Sequence, residues 1–211
     1  MLMSRLFVFV LLFVFVNQAH GQAAGRASLP GGTVPDYTLP GAPMPDLRLI
    51  RYDDPGLRFP APPVIGKNGA VLPPSPEAEK RVREKKLPDP EFLTNKDFRN
   101  KANLLVMIFN PGCSHCEDET ELLEKNMGLF RHSELIMMVS PVQGIYLADF
   151  ARSFHIDQYP KITMGVDSSG FIDKVFLYTG LPQISIYSRD RKLLKSFTGN
   201  ISIDSLRPYV R

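Results

Sequence analysis

The chain of 211 residues has two cysteines, and both lie in the stretch "NPGCSHC", as Cys113 and Cys116. Thiols two residues apart can exchange electrons as a dithiol–disulfide couple, supply half of a zinc site, or close a small staple. The staple achieves little. A crosslink over so short a loop stabilises by about 2 kcal/mol at best, before strain is subtracted. A small exported domain held by disulfides would carry four, six or eight cysteines. Structural zinc wants four ligands, and beyond the first 21 residues the histidines are His115, His132 and His155. No two of them stand at the three-to-five-residue spacing of a zinc finger. The spacing favours the redox couple. Soft-metal ligation by Cys113, Cys116 and His115 is its rival.

The surrounding pattern positions the pair. The run "NLLVMIF" (103–109) is continuously apolar and of strand length, as in a central strand covered on both faces. After the cysteines, "EDETELLEKNMGLF" carries Leu123, Met127 and Phe130 at helical spacing. The pair therefore sits at a strand-to-helix junction. If the helix starts near Ser114, Cys113 occupies the N-cap, where free backbone N–H groups and the macrodipole favour thiolate over thiol. Cys116, one turn on, lies on the same face but is more covered. An exposed attacking thiol with a resolving thiol behind it suits disulfide exchange. His115, if protonated, would favour thiolate further; otherwise it is an exposed polar residue. The acidic residues Glu117, Asp118, Glu119 and Glu121 repel thiolate, yet their place in the opening turns suits the helix dipole.

Further along, "ELIMMVSPV" (134–142) reads as a buried strand and "IYLADFARSF" (145–154) as a helix. "KITMGVD" (161–167) alternates like a strand, and "QISIYSRDRKLLKSFTG" (183–199) reads as a hairpin turning at 188–191. The tail "SIDSLRPYV" is a short terminal helix. The order β-α-β-α-β-β-α predicts a mixed sheet flanked by helices.

The N-terminal part has another texture. Arg5 precedes an apolar run from Leu6 to Val16, and Ala19-His20-Gly21 offers small residues at the cleavage positions. Residues 1–21 read as a secretory signal peptide cut near Gly21/Gln22, with an uncleaved anchor as the alternative. Fourteen of the 19 prolines precede residue 91, so residues 22–90 form a Pro-rich arm with possible short strands near 47–52 and 57–72. Residues 22 to about 40 read as a linker. The run "EAEKRVREKK" (77–86) is a solvated helix face of near-balanced charge. The net charge of +3 is dispersed, with no basic stripe for nucleic acid. Nothing after the leader approaches the roughly 18 apolar residues of a membrane helix.

Three segments in order resemble exported thioredoxin-like proteins of the TlpA/ResA type. "NKDFRNKANLLVMIFNPGCSHCEDE" (95–119) is similar to the family's x-D-F-x-G-K lead, apolar strand and CxxC, with Asp97, Phe98 and Lys101 in place and Asn100 where glycine is usual. "MPDLRL" (44–49) resembles the opening A-P-D-F-x-L, and "YTGLPQISIYSRDRKLLKSFTG" (178–199) resembles the closing hairpin. The resemblance implies a cis-proline at Pro182, which with Leu181 would hold an extended substrate strand opposite the CxxC. It also gives Glu119 a role in proton transfer at the cysteines, against the alternative of a solvated helix carboxylate. Three departures stand out: Gly112 replaces the usual tryptophan, Met107 replaces a buried aspartate, and Ser114-His115 matches no familiar dipeptide.

The expectation is thus a thioredoxin-like domain over residues 91–211, a mixed β-sheet flanked by helices, exported and most simply periplasmic. Its function would be thiol–disulfide oxidoreductase, in the reducing direction, with Cys113 and Cys116 catalytic and His115 and Glu119 tuning. No dissociable cofactor is needed, but protein substrates and a redox partner protein are. The rivals are a redox-inert or metal-binding module on the same scaffold and a peroxidase acting through one cysteine.

Overall fold

The structure is a computed structural model that describes residues 34–59, 61, 64–98 and 102–210. The leader and residues 22–33 of the expected linker lie outside the described residues. In chain order the elements are β1 (Arg48–Arg51), β2 (Val64–Ile65), β3 (Val71–Leu72), α1 (Pro76–Glu84), β4 (Phe92–Thr94), β5 (Leu104–Ile108) and α2 (Ser114–Lys125). There follow β6 (Glu134–Val139), α3 (Leu147–Ser153), β7 (Ile162–Asp167), α4 (Phe171–Val175), β8 (Gln183–Tyr187), β9 (Leu193–Thr198) and α5 (Ile203–Leu206).

Seven strands make one mixed sheet in the order β4-β1-β7-β6-β5-β8-β9. The centre is parallel: β5 pairs with β6, and β6 with β7. The flanks run antiparallel, β8 and β9 on one side, β1 and β4 on the other. Strand period splits the apolar residues between two cores. Leu105, Met107, Leu135, Met137 and Val139 face the layer that holds Cys116, Leu123, Leu147, Phe150 and Leu206. Leu104, Val106, Ile108, Ile136 and Met138 face Phe171 and Val175 of α4. Helices therefore cover both faces, and the apolar run of β5 is buried along its whole length.

Several elements differ in detail from the sequence pattern. Helix α2 stops at Lys125, and a 3-10 turn over Met127–Leu129 brings Phe130 into the core. Strand β6 ends at Val139 rather than 142, a 3-10 stretch led by Pro141 fills Pro141–Tyr146, and the α-helix begins at Leu147 rather than 145. Helix α4 went unforeseen because five residues are too short for periodicity. It starts from left-handed Gly170, with Asp167 accepting from the Ile172 and Ser169 amides at 2.9 Å each. Helix α1 has no buried residue, as its charge pattern predicts. Ser75 caps it by accepting from the Ala78 amide at 3.2 Å, and Pro76 fills the first turn.

The Pro-rich segment does more than tether. Its "MPDLRL" stretch runs across the α4 face of the sheet, burying Met44, Leu47 and Leu49. Residues 41–44 hydrogen bond to the β8–β9 hairpin: Gly41 donates to Leu193 O at 2.7 Å, and Met44 to Arg191 O at 2.7 Å. β1 then seats between β4 and β7, so strands from this segment extend the sheet. The approach of β1 to β7 leaves no room for a side chain at Gly165, where a Cβ would sit 2.2 Å from Ile50 O. Gly165→Ala should therefore lower stability by about 1–3 kcal/mol, read as a lower urea midpoint at unchanged slope. An unchanged midpoint would mean that β1 does not press on β7 as described.

Candidate active site

Strand β5 ends one residue before the turn that carries the cysteines. In that turn Asn110 accepts twice: Oδ1 from the Gly112 amide at 2.9 Å and its carbonyl from the Cys113 amide at 3.1 Å. This is an Asx turn, and it swings the chain from strand to helix in three residues. Cys113 becomes the N-cap of α2, with non-helical φ −105° and ψ 117°. Its carbonyl accepts from the Cys116 and Glu117 amides at 2.9 and 3.1 Å, while its sulfur makes no capping bond. That sulfur is half-buried at the opening of the helix.

Cys116 has no exposed surface and packs against the core of the α2 face. Both cysteines are free thiols. Burial pushes the Cys116 thiol up to about 12; the Asn110 amide, donating to its sulfur at 3.5 Å, offsets part of this. Hydrogen bonding and charge from the neighbouring Cys113 push it further the same way. At neutral pH Cys116 is therefore a thiol, and only a partner that takes its proton or relieves the repulsion can make it attack.

The second half of the site comes from the loop before β8. The Leu181–Pro182 peptide bond is cis, the isomer that the resemblance implies. The register of β5 against β8 ends with Ile108 opposite Gln183, so the next residues outward are Phe109 and Pro182. Pro182 therefore stands across from the segment that leads into the cysteines. Leu181 and Cys113 are both half-buried against the same core. Gln183 fixes the loop. Fully buried, it accepts from the Leu177 amide at 2.9 Å and donates to Val175 O at 2.8 Å. Sequence reasoning missed Gln183 and Asn110. Both left a trace: a polar residue opening an apolar strand, and an Asn-Pro-Gly turn.

Glu119, one turn beyond Cys116, is 1 % exposed and so is not a solvated helix carboxylate. Its Oε2 accepts from the Ile201 amide at 2.8 Å, while Oε1 has no partner among the described residues. Glu117, Asp118 and Glu121 are exposed, and Glu121 pairs with Lys125 at 2.7 Å. His115 is exposed as well, on the side of α2 away from the core. Among the described residues no three His, Cys, Asp or Glu side chains gather as a metal site would require. No helix among them is long and apolar enough to cross a membrane.

No protein-family model matches the sequence, and no curated protein matches it. Solved structures do match. The thioredoxin domain of a thiol-disulfide oxidoreductase from Bacteroides vulgatus superposes with a TM-score of 0.50 at 14% identity, over 82% of this chain and 99% of that one. This chain has a thioredoxin-like fold. A candidate protein disulfide isomerase from Bacteroides thetaiotaomicron aligns with the thioredoxin-like chain at TM-score 0.52 and 16% identity, covering 81% of this chain and 87% of its own. A candidate electron transfer protein from Aquifex aeolicus gives 0.52 at 12%, covering 82% and 93%. The matches extend through the strands of the Pro-rich segment, since the 91–211 portion alone is shorter than the share covered.

Burial raises the Glu119 carboxyl above its ordinary value of 4.5, and the Ile201 amide offsets only part of the shift. The folded chain thus binds this proton more tightly than the unfolded chain does. The stability contributed is whole below about 4.5 and is lost as pH rises through the raised folded value. Glu119→Gln abolishes the ionisation and keeps an oxygen for the Ile201 amide. Urea unfolding at about pH 5 and pH 8 should show the wild-type protein losing ground to the variant at the higher pH. A difference that stays constant with pH would mean that the carboxyl titrates as if in water.

Proposed function

We propose that this thioredoxin-like protein is an exported thiol–disulfide oxidoreductase that reduces disulfides in protein substrates. The observation that carries the reading is the pairing of a half-exposed Cys113 at the N-terminus of α2 with a wholly buried Cys116 one turn behind it. Cys113 is open to a substrate sulfur at the start of α2, and burial keeps Cys116 protonated until it is needed. The Leu181–Pro182 loop, which the register of β8 sets across from the segment leading into the cysteines, supports the reading as an edge for an extended substrate strand. The leader sequence and the motifs similar to TlpA/ResA proteins support export and the reducing direction. The metal-binding alternative has nothing further in its favour.

In the first step the Cys113 thiolate attacks one sulfur of the substrate disulfide. A Cys113–substrate bond forms, the substrate S–S bond breaks, and the second substrate sulfur leaves as thiolate and takes up a proton. Cys116 then gives up its proton and attacks Cys113 Sγ, which closes the Cys113–Cys116 disulfide and releases the second substrate thiol. Two electrons pass from the dithiol to the substrate. A redox partner protein must return them for another cycle. Glu119, buried one turn from Cys116, is the group we assign to receive the proton that Cys116 gives up, and His115 lies exposed near the helix start.

The roles are tested with a disulfide-bonded peptide and mass spectrometry. Cys116→Ser should accumulate one covalent peptide adduct per chain, and Cys113→Ser should accumulate none. Equal adducts on both variants would remove the assignment of attacking and resolving thiols.

A further inference from the structure

Beside the Asn110–Gly112 turn lies a cavity of about 290 Å³, formed between the start of α2 and the 141–154 segment. Its size is at the lower edge of small-molecule sites, room for one long side chain rather than a cofactor. Phe150 and Phe154 line it with ring centroids 4.5 Å apart, and Phe150 rests in turn on Phe109 at 4.8 Å. The aromatic lining is thus continuous with the residue that leads into the active-site turn. Tyr146, 53 % exposed, and Pro111 add further apolar surface.

Gly112 lines the cavity and adds no side chain to it. Its backbone is outside the left-handed region, and a Cβ there would come no closer than 3.7 Å to Asn110 Oδ1. Neither conformation nor crowding requires glycine. Its effect is to leave the position next to Cys113 without a side chain that could close the cavity.

The charge around the cavity has one sign. Glu117 from the first turn of α2 and Asp149 from the first turn of α3 line it, and no lysine, arginine or histidine does. Asp149 meets Arg152 at 3.0 Å, but both side chains are about three-quarters exposed, so that pair is screened. Glu117 has no ion pair among the described residues. Aromatic faces and carboxylates together complement a side chain with an apolar stem and a positive end.

We propose that this cavity receives a lysine or arginine side chain of the substrate, close in sequence to the cysteine that Cys113 attacks. The proposal rests on the disulfide-exchange reading and names the substrate class for it. Substrates are then proteins whose reducible cysteine has a basic neighbour, selected by the residues beside the redox pair rather than by the pair itself.

The test uses the reduced full chain and three peptides, each with one cysteine in mixed disulfide with thionitrobenzoate and flanked by arginine, leucine or glutamate. Cys113 bonds to the peptide sulfur, and thionitrobenzoate leaves with the electron pair of the broken bond. Its release gives the rate, normalised to 2-mercaptoethanol attacking the same peptide. The arginine peptide should react about three- to fivefold faster than the other two at low salt, with the ratio shrinking as salt rises. Glu117→Gln should cut that ratio, and Gly112→Phe, which fills the cavity, should abolish it. Asp118→Asn, an exposed carboxylate outside the cavity, should leave the ratio intact. Equal rates for all three peptides, a preference for leucine, or a ratio equally sensitive to Asp118 and Glu117 would overturn the proposal and leave disulfide exchange standing. Failure to reduce 2-hydroxyethyl disulfide as well as the peptides would overturn both.

Discussion

Cys116 has no solvent-exposed surface, and an ionised sulfur there would lose its hydration with the Asn110 amide as its main compensation. That cost separates two chemically identical thiols. Cys113, three residues earlier, sits at the N-cap where the helix begins and is only partly buried. In the proposed reaction the first thiol attacks and the second resolves. The Asn110 turn, the end of β5 and the packing of Leu123 and Leu105 in the same core all serve to keep that one-turn offset fixed.

The sheet supplies the rigidity this requires. β5 is covered on both faces, so the turn at its end springs from a strand buried along its whole length. β8 runs beside it and brings the Leu181–Pro182 loop to the same end, with Gln183 holding that loop from beneath. The Pro-rich segment contributes as well. Before it enters the sheet as β1, it buries Met44 and Leu47 with Ile136 and Met138 in the core on the α4 face. The same segment also reaches the face of the cysteines, where Leu57 is buried and Ile50, Tyr52 and Phe59 pack against the core that holds Cys116.

Much of this was legible in the residues. The strand at 104–108, the helix start at Ser114 and the hairpin at 183–198 follow from period and turn chemistry, and with them Cys113 at the N-cap and Cys116 one covered turn on. Long-range polar contacts were not legible. That Glu119 meets the Ile201 amide depends on how the terminal helix docks, and no local pattern carries it. The membership of β1 in the sheet was also hidden, because "LRLIRY" alternates equally well as an arm or as a strand. What admits it is Gly165 on the facing strand, a glycine that looks incidental until the two are paired. The cavity beside Gly112 was invisible for a similar reason: an absent tryptophan is a departure in sequence and an opening in space.

The account stands or falls on a reversible couple at Cys113 and Cys116. Equilibration of the whole protein with glutathione mixtures, followed by trapping of free thiols, measures it directly. A disulfide reductase should show a two-electron transition at a potential near the roughly −270 mV of thioredoxin or lower. A transition near about −120 mV would contradict the reducing direction, and two thiols that never join would contradict disulfide exchange altogether.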